Sequence, residues 1–183
     1  MSPVKSSPTE IDWARLAVLI DGEGYIGIAT AFSTKRRWAR PHLYLDVRVT
    51  NTDPRVSEWC VTHFGGKVYV NKRNKNKNPK WSLAFHWAVS CNKAEAILRG
   101  CLPYFLIKRE QADVALAFQA TIDRAKSNGC KGVPTEHVLK QIELRNTLQK
   151  LKGTSSRGDG VNKALGDYLR RVSNSDEISG QVN

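Results

Sequence analysis

The chain has 183 residues, 40% of them hydrophobic, and its 29 Lys and Arg against 17 Asp and Glu give a net charge of +12. That length suits one domain with a core of its own, and the charge points to a polyanionic partner, nucleic acid before a membrane surface. No apolar run approaches a spanning helix, the opening MSPVKSSPTE has no signal-peptide core, and neither GxxxxGK[ST] nor GxGxxG is present, so a membrane, a secretory route and a nucleotide cofactor are not expected.

Residues 1–10 read as disordered. Residues 11–22 read as a helix, with Asp12 as its expected cap and Leu16, Leu19 and Ile20 along one side. Ala14, Ala17, Val18 and Gly22 make the other side small, as a close helix–helix contact requires. The helix runs into Asp21-Gly22-Glu23-Gly24 and then a strand. Glycine tolerates the helix stop, so Glu23 is fixed at a helix end. An acid there faces the negative end of the helix dipole, and a divalent cation is the expected compensation. Asp21 reads as a helix-end acid or an interface group.

Residues 25–33 read as a strand, with Ile26 and Ile28 on one face and Gly27, Ala29, Ala31 and Ser33 on the other. A basic turn follows, with Lys35, Arg36, Arg37 and Arg40. The strand 42–51 alternates Leu43, Leu45, Val47 and Val49 with His42, Tyr44, Asp46 and Arg48. A helix over 54–64 starts at a capping Asp53 and Pro54 and stops at Gly65-Gly66. Strands 67–73 and 80–89 flank an Asn/Lys loop. Trp81, Leu83, Phe85, Trp87 and Val89 share one parity of the latter. Helices are expected over 92–100, from about 107 to 127, and from about 135 to 151. Beyond Gly153, Val161, Leu165, Tyr168, Leu169 and Val172 fall at helical spacing, and 173–183 reads as a flexible tail.

The class is therefore α+β. The order α-β-β-α-β-β-α builds a four-stranded antiparallel sheet with helices on one face and extra C-terminal helices. The other face stays open. It carries His42, Tyr44, Asp46, Arg48, Tyr69, Asn71, Arg73, Ser82 and His86, between basic tips that also include Lys67, Lys75 and Lys80. Mixed donors and acceptors between clusters of cations suit base-edge reading with phosphate contacts on either side. Ala29 and Ala31 offer that face only apolar contact. Cys60, Cys91, Cys101 and Cys130 form no CxxC pair and, with four histidines, no zinc ligand set, so reduced structural thiols are expected.

Leu16–Gly24 resembles the LAGLIDADG signature of homing endonucleases. Val49-Thr50-Asn51-Thr52-Asp53-Pro54, Phe64-Gly65-Gly66-Lys67-Val68 and Leu102–Ala112 agree with that family in the same order, and the resemblance spans roughly residues 11–172. It implies a saddle-shaped sheet and a site-specific double-strand DNA endonuclease dependent on Mg2+, with Mn2+ as a substitute and Ca2+ binding without cleavage. By position it implies that Glu23 and the Gly22 carbonyl hold metal, and that Lys108 lies near the scissile phosphate. Arg55 and Asn51 would organise water, and Lys152, Ser155, Ser156 and Arg157 would contact phosphates. A single motif implies a homodimer on a near-palindromic target, paired through Ala14, Ala17, Val18 and Asp21. Val18 replaces the family's glycine, Glu23 its aspartate and Asn51 its common glutamine. Related readings are an RNA-splicing maturase with intron RNA as partner, or a non-cleaving nucleic-acid-binding protein on the same fold. An intracellular setting is expected, in an organelle or a bacterial cytoplasm.

Overall fold

The computed structural model describes residues 7–31, 42–71, 82–127, 135–153 and 165–170. Helix α1 (Glu10–Glu23) leads directly into β1 (Gly24–Ala31), followed by β2 (His42–Asn51), α2 (Pro54–Phe64), β3 (Lys67–Asn71) and β4 (Ala84–Ser90). Then come α3 (Asn92–Cys101), a 3-10 turn at Leu102–Tyr104, α4 (Arg109–Ser127) and α5 (Thr135–Leu151). A further helical turn covers 165–170, where Leu165 and Tyr168 are buried.

Helix α1 starts one residue earlier than its hydrophobic spacing suggests, and Thr9 rather than Asp12 is its cap. The Thr9 hydroxyl accepts from the Asp12 amide at 3.3 Å, while the Asp12 carboxylate accepts from the Thr9 amide at 2.9 Å. This reciprocal box satisfies amides that otherwise have no intrahelical partner. Asp53 caps α2, with Pro54 at the first position, where its missing N–H costs nothing. Gly65 and Gly66 have φ of +67° and +97°, a backbone that ends α2 and turns the chain into β3. The buried Trp87 indole N–H donates to the Gly65 carbonyl at 2.6 Å and pins that turn to the sheet.

All strand pairs are antiparallel, in the order β1-β2-β4-β3. Leu43, Leu45, Val47 and Val49 of β2, with Ile26, Ile28, Trp87 and Val89, meet Leu16, Ala17 and Ile20 of α1 in one core. Phe85 and Leu83 are only half-buried. Strand β4 begins at Ala84, after Ser82 and Leu83 outside any strand; Trp81 and 72–80 lie outside the described residues. Cys60 and Cys101 are buried free thiols pushed up to about 12 by desolvation, so both stay protonated; Cys91 is also free.

Thr9→Ala removes one half of the α1 box and is expected to lower stability by about 1 kcal/mol. Thr9→Ser should retain most of it. Urea midpoints of the three proteins, compared at a common slope, check this.

Candidate functional site

The α1–β1 junction is the best-organised polar region among the described residues. The Glu23 carboxylate is exposed and accepts from the Asn51 side-chain amide at 2.6 Å. Asn51 is itself oriented, because its Oδ1 accepts from the Asp53 backbone amide at 2.8 Å. Its NH2 group is thereby turned toward Glu23. The antiparallel register of β1 and β2 makes this possible by placing Gly24 opposite Val49, at the same end of the pair as Asn51.

Gly24 must be glycine. A Cβ there would stand 2.5 Å from the Ile20 Cα and 2.6 Å from its carbonyl oxygen. Gly22 is different: a Cβ there would meet nothing within 4 Å. The Gly22 carbonyl is among the last four of α1, which have no intrahelical donor.

Part of the compensation at this helix end comes from the chain itself. Lys108 Nζ donates to the carbonyls of Ile20 at 2.6 Å and Gly24 at 2.7 Å, one on each side of Glu23 in sequence. An ammonium at that position offsets the negative end of the helix dipole. Burial holds its pKa below the usual lysine value, and Asp21 opposes that shift. Asp21 is the second half of the clamp. Its carboxylate accepts from the backbone amides of Leu106 at 2.8 Å, Ile107 at 3.4 Å and Lys108 at 2.9 Å. Hydrogen bonds of this charge-assisted kind are worth about 1.5–3 kcal/mol each. They hold 106–108 outside the following helix, which is why α4 begins at Arg109 and not at 107.

Two of the residues expected at a helix–helix contact are therefore elsewhere. Ala17 is fully buried in the core, on the same side of α1 as Leu16 and Ile20, and Asp21 is committed to the 106–108 segment. What α1 leaves outside is Ile11, Ala14 and Val18, with Ile11 and Val18 each 63% exposed. With Arg15, Val56 and Trp59 they line an open groove of about 850 Å3. Arg55 lies on its rim and is tied by its guanidinium to Asp53, whose carboxyl it lowers to about 2. No contact between Arg55 and Glu23 is present.

The face away from the core matches the sequence expectation in register. Ala31, Ala29, Gly27 and Tyr25 of β1 lie opposite His42, Tyr44, Asp46 and Arg48 of β2. Arg48 lies opposite Ala88 and Thr50 opposite His86, and Tyr69 of β3 continues the latter row. His42 and Tyr44 stack at 6.0 Å, and Thr50 Oγ1 lies 2.7 Å from His86 Nδ1. A concavity of about 680 Å3 opens on this face between Tyr44, Arg48, Lys67, Tyr69, Asn71 and His86. Ser82 is exposed, just before β4. Ser33, Lys35, Arg36, Arg37, Arg40, Arg73, Lys75, Lys80, Ser155, Ser156 and Arg157 lie outside the described residues.

Two features of this face have no local signature in the sequence. Asp46 is buried rather than open, paired with Arg48. Lys152, just past α5, lies over the Tyr25 ring with Nζ 3.8 Å from its centroid. Desolvation first, then the charge of Lys108, hold Lys152 down to about 8, against an opposing pull from Asp46. Lys152 therefore belongs to the neighbourhood of the α1–β1 junction. Burial also pushes the Tyr25 phenol up. The Thr9 box, by contrast, has a signature that hydrophobic spacing overlooks: Thr9 and Asp12 are spaced as T-x-x-D.

This architecture has solved counterparts. The homing endonuclease I-CvuI, crystallised with its target in the presence of Ca, matches with a TM-score of 0.66 at 16% identity, over 87% of this chain and 95% of that one. The archaeal intron-encoded homing endonuclease I-Vdi141I, complexed with DNA, gives 0.63 at 14% identity, over 81% and 87%. I-LtrWI, a LAGLIDADG homing endonuclease bound to target DNA, gives 0.57 at 19% identity, over 80% of this chain and 45% of that one. No protein-family model matches the sequence, and neither does any curated protein. The fold is that of the LAGLIDADG homing endonucleases.

The depressed Lys152 gives a pH prediction with a definite sign. Between about 8 and the ordinary value of 10.5, the unfolded chain holds a proton on this residue that the folded chain has released. Stability contributed by this group therefore rises with pH through that window. The difference in unfolding free energy between wild type and Lys152→Met should shift in favour of wild type as pH increases across it. A difference independent of pH would place Lys152 in open solvent.

Proposed function

We propose that the chain is a divalent-metal-dependent, site-specific DNA endonuclease that acts as a homodimer. The observation that carries this reading is the α1–β1 junction. An exposed carboxylate, held by Asn51 and bracketed by a lysine, opens beside a polar sheet face in a chain with this fold. Solved proteins of the same fold, I-CvuI and I-Vdi141I among them, are homing endonucleases seen with DNA, which supports a DNA partner and a nuclease activity here.

The donor set suits a hard cation such as Mg2+: a carboxylate on Glu23 and the carbonyl of Gly22. Mn2+ would substitute, and Ca2+ would bind without supporting the reaction. Asp21 is not a ligand in this scheme, because its oxygens accept backbone amides. Among the described residues no cluster of three acidic, His or Cys side chains gathers within one chain. In this reading the metal site is shared between two copies, and the second copy's Glu23 completes it. When bound, the metal polarises the phosphodiester and activates water.

The chain's own residues do the rest. Asn51 fixes the rotamer of Glu23. Lys108 spends two of its three N–H donors on Ile20 and Gly24, so the third remains for a water or a phosphoryl oxygen on which charge develops. Lys152, a few ångströms above Tyr25, adds a second cation for the phosphate backbone. Arg55, exposed beyond Asp53, orders water at the rim. The His42, Tyr44, Tyr69, Asn71, Ser82 and His86 side chains read base edges, with Lys67 on phosphate and Ala29 and Ala31 giving apolar contact.

The exposed stripe of α1 supports the pairing of two copies. Ile11, Ala14 and Val18 recur at helical spacing, and Gly22 continues it with open space above its Cα. A symmetric contact along that stripe brings two Glu23 residues together.

Target duplexes selected from a randomised library should be cut by wild type with Mg2+ and spared when a chelator is added. Glu23→Gln should bind the selected duplex without cutting it. Asn51→Ala, which frees the carboxylate, should cut about 10- to 100-fold more slowly. Tight selection with no cutting by wild type under Mg2+ or Mn2+ would instead make the protein a binder without nuclease activity. Separately, Val18→Glu should convert a dimer to a monomer in sedimentation velocity while leaving the thermal midpoint of the fold close to wild type. A monomeric wild type would sink the shared metal site.

A further inference from the structure

Side chains alternating along β2 look equivalent in sequence, yet Asp46 and Arg48 are in different physical states. The Asp46 side chain is 6% exposed and the Arg48 side chain 49% exposed, and Arg48 Nε stands 2.6 Å from Asp46 Oδ2. Burial raises the Asp46 pKa, and Arg48 is the first of the groups that oppose this; Lys152 is the other. The acid is thus largely withdrawn from contact and already serves a cation. Arg48 also lies beside the Tyr25 ring, with Cζ 5.9 Å from its centroid.

Engaging Nε leaves the other edge of the guanidinium, the Nη1–Nη2 fork. No hydrogen bond to either Nη is made by the described residues. Arginine held in this way loses little further rotamer freedom when it binds, and its two parallel donors match the O6 and N7 acceptors of guanine in the major groove. The neighbours leave room for a base edge. On the β4 side Ala88 is directly across from Arg48, whereas on the β1 side the Tyr25 ring lies across from Arg48 and covers Gly27, so the open approach is from β4. The concavity of about 680 Å3 opens at the same place.

Given the reading of the open face as a DNA-binding surface, we infer that Arg48 reads a guanine in each half-site through its Nη1–Nη2 fork, and that Asp46 is the positioning residue that holds it rather than a base reader. Arg48 is three residues from Asn51, roughly 10 Å along an extended strand. A strand of DNA advances about 3.4 Å per base. The guanine therefore falls about two to four base pairs outward from the bond beside Glu23.

Binding-site selection from a randomised duplex library in Ca2+, with wild type, Arg48→Ala, Arg48→Gln and Asp46→Asn, tests this. Dissociation constants are then measured for the wild-type site and for the three other base pairs at the position of interest. Wild type should fix a G·C pair there. Arg48→Ala should lose about 5- to 150-fold on the guanine site, the discrimination expected of one bidentate contact, and lose little on the others. Arg48→Gln should move the preference toward adenine. Asp46→Asn should keep guanine as the preferred base but narrow the ratio, with no change of preferred base at any other position.

An equal loss on all four base pairs with Arg48→Ala would make Arg48 a phosphate contact and overturn the inference. So would a cytosine preference that disappears with Asp46→Asn while guanine selection persists. Both results leave DNA binding itself intact. A wild type that selects no sequence would overturn the DNA-binding reading, and this inference with it.

Discussion

The structure depends on how the C-terminal end of α1 is neutralised. A helix that stops with an acid leaves several carbonyls and a carboxylate at its negative end, close to a backbone turn that admits only glycine. The chain answers with the 106–108 segment. Lys108 bridges the carbonyls of Ile20 and Gly24, and Asp21 accepts the amides of Leu106 and Lys108 in return. These are complementary charges separated by more than 80 residues, and they fix the start of α4 against the end of α1. Once that clamp is set, β1 leaves Gly24 in one direction, and its pairing with β2 brings Asn51 to Glu23.

The same clamp divides the labour of the acids. Asp21 and Glu23 are two residues apart, so α-helical geometry sends them to different sides. One is spent on structure and the other is left exposed with a single side-chain donor. A carboxylate that accepted three backbone amides would be a poor metal ligand, because its lone pairs are already used and its position is dictated by the fold. Glu23 instead faces solvent with one side-chain donor. Its carboxylate accepts from the Asn51 side-chain amide, and Asn51 is in turn oriented by the Asp53 backbone amide.

Much of this was legible because it rests on short-range rules. Strand β2 falls where its alternation puts it, α2 lies between its Asp-Pro start and Gly-Gly stop, and the open face has the expected register. What failed was what depends on distant partners. Hydrophobic spacing assigns Ala17 to the small side of α1, but the core lies a further turn around the helix, and a residue without bulk gives no signal of which side it faces. Asp46 reads as one more polar residue on an alternating strand. Its burial follows from Arg48 beside it and from Lys152, over a hundred residues on. The Lys152–Tyr25 contact requires α5 to end above β1, which no local pattern encodes.

Tyr25 links these long-range effects. It follows Gly24 directly, so its ring is placed by the same turn that places Glu23, and it lies between two cations, Lys152 at 3.8 Å and Arg48 at 5.9 Å from its centroid. An aromatic face attracts both without neutralising either, unlike a carboxylate. Two like charges can then stand near each other and near Lys108, with Asp46 as the buried counter-charge below. Burying Lys152 near Lys108 costs desolvation and like-charge repulsion that Asp46 only partly offsets, and these hold its pKa down. A polyanion docking on the face would reverse that cost, because each phosphate supplies the opposite charge that the protein withholds. In the proposed complex, the repulsion gathered in the free chain would become a contribution to binding.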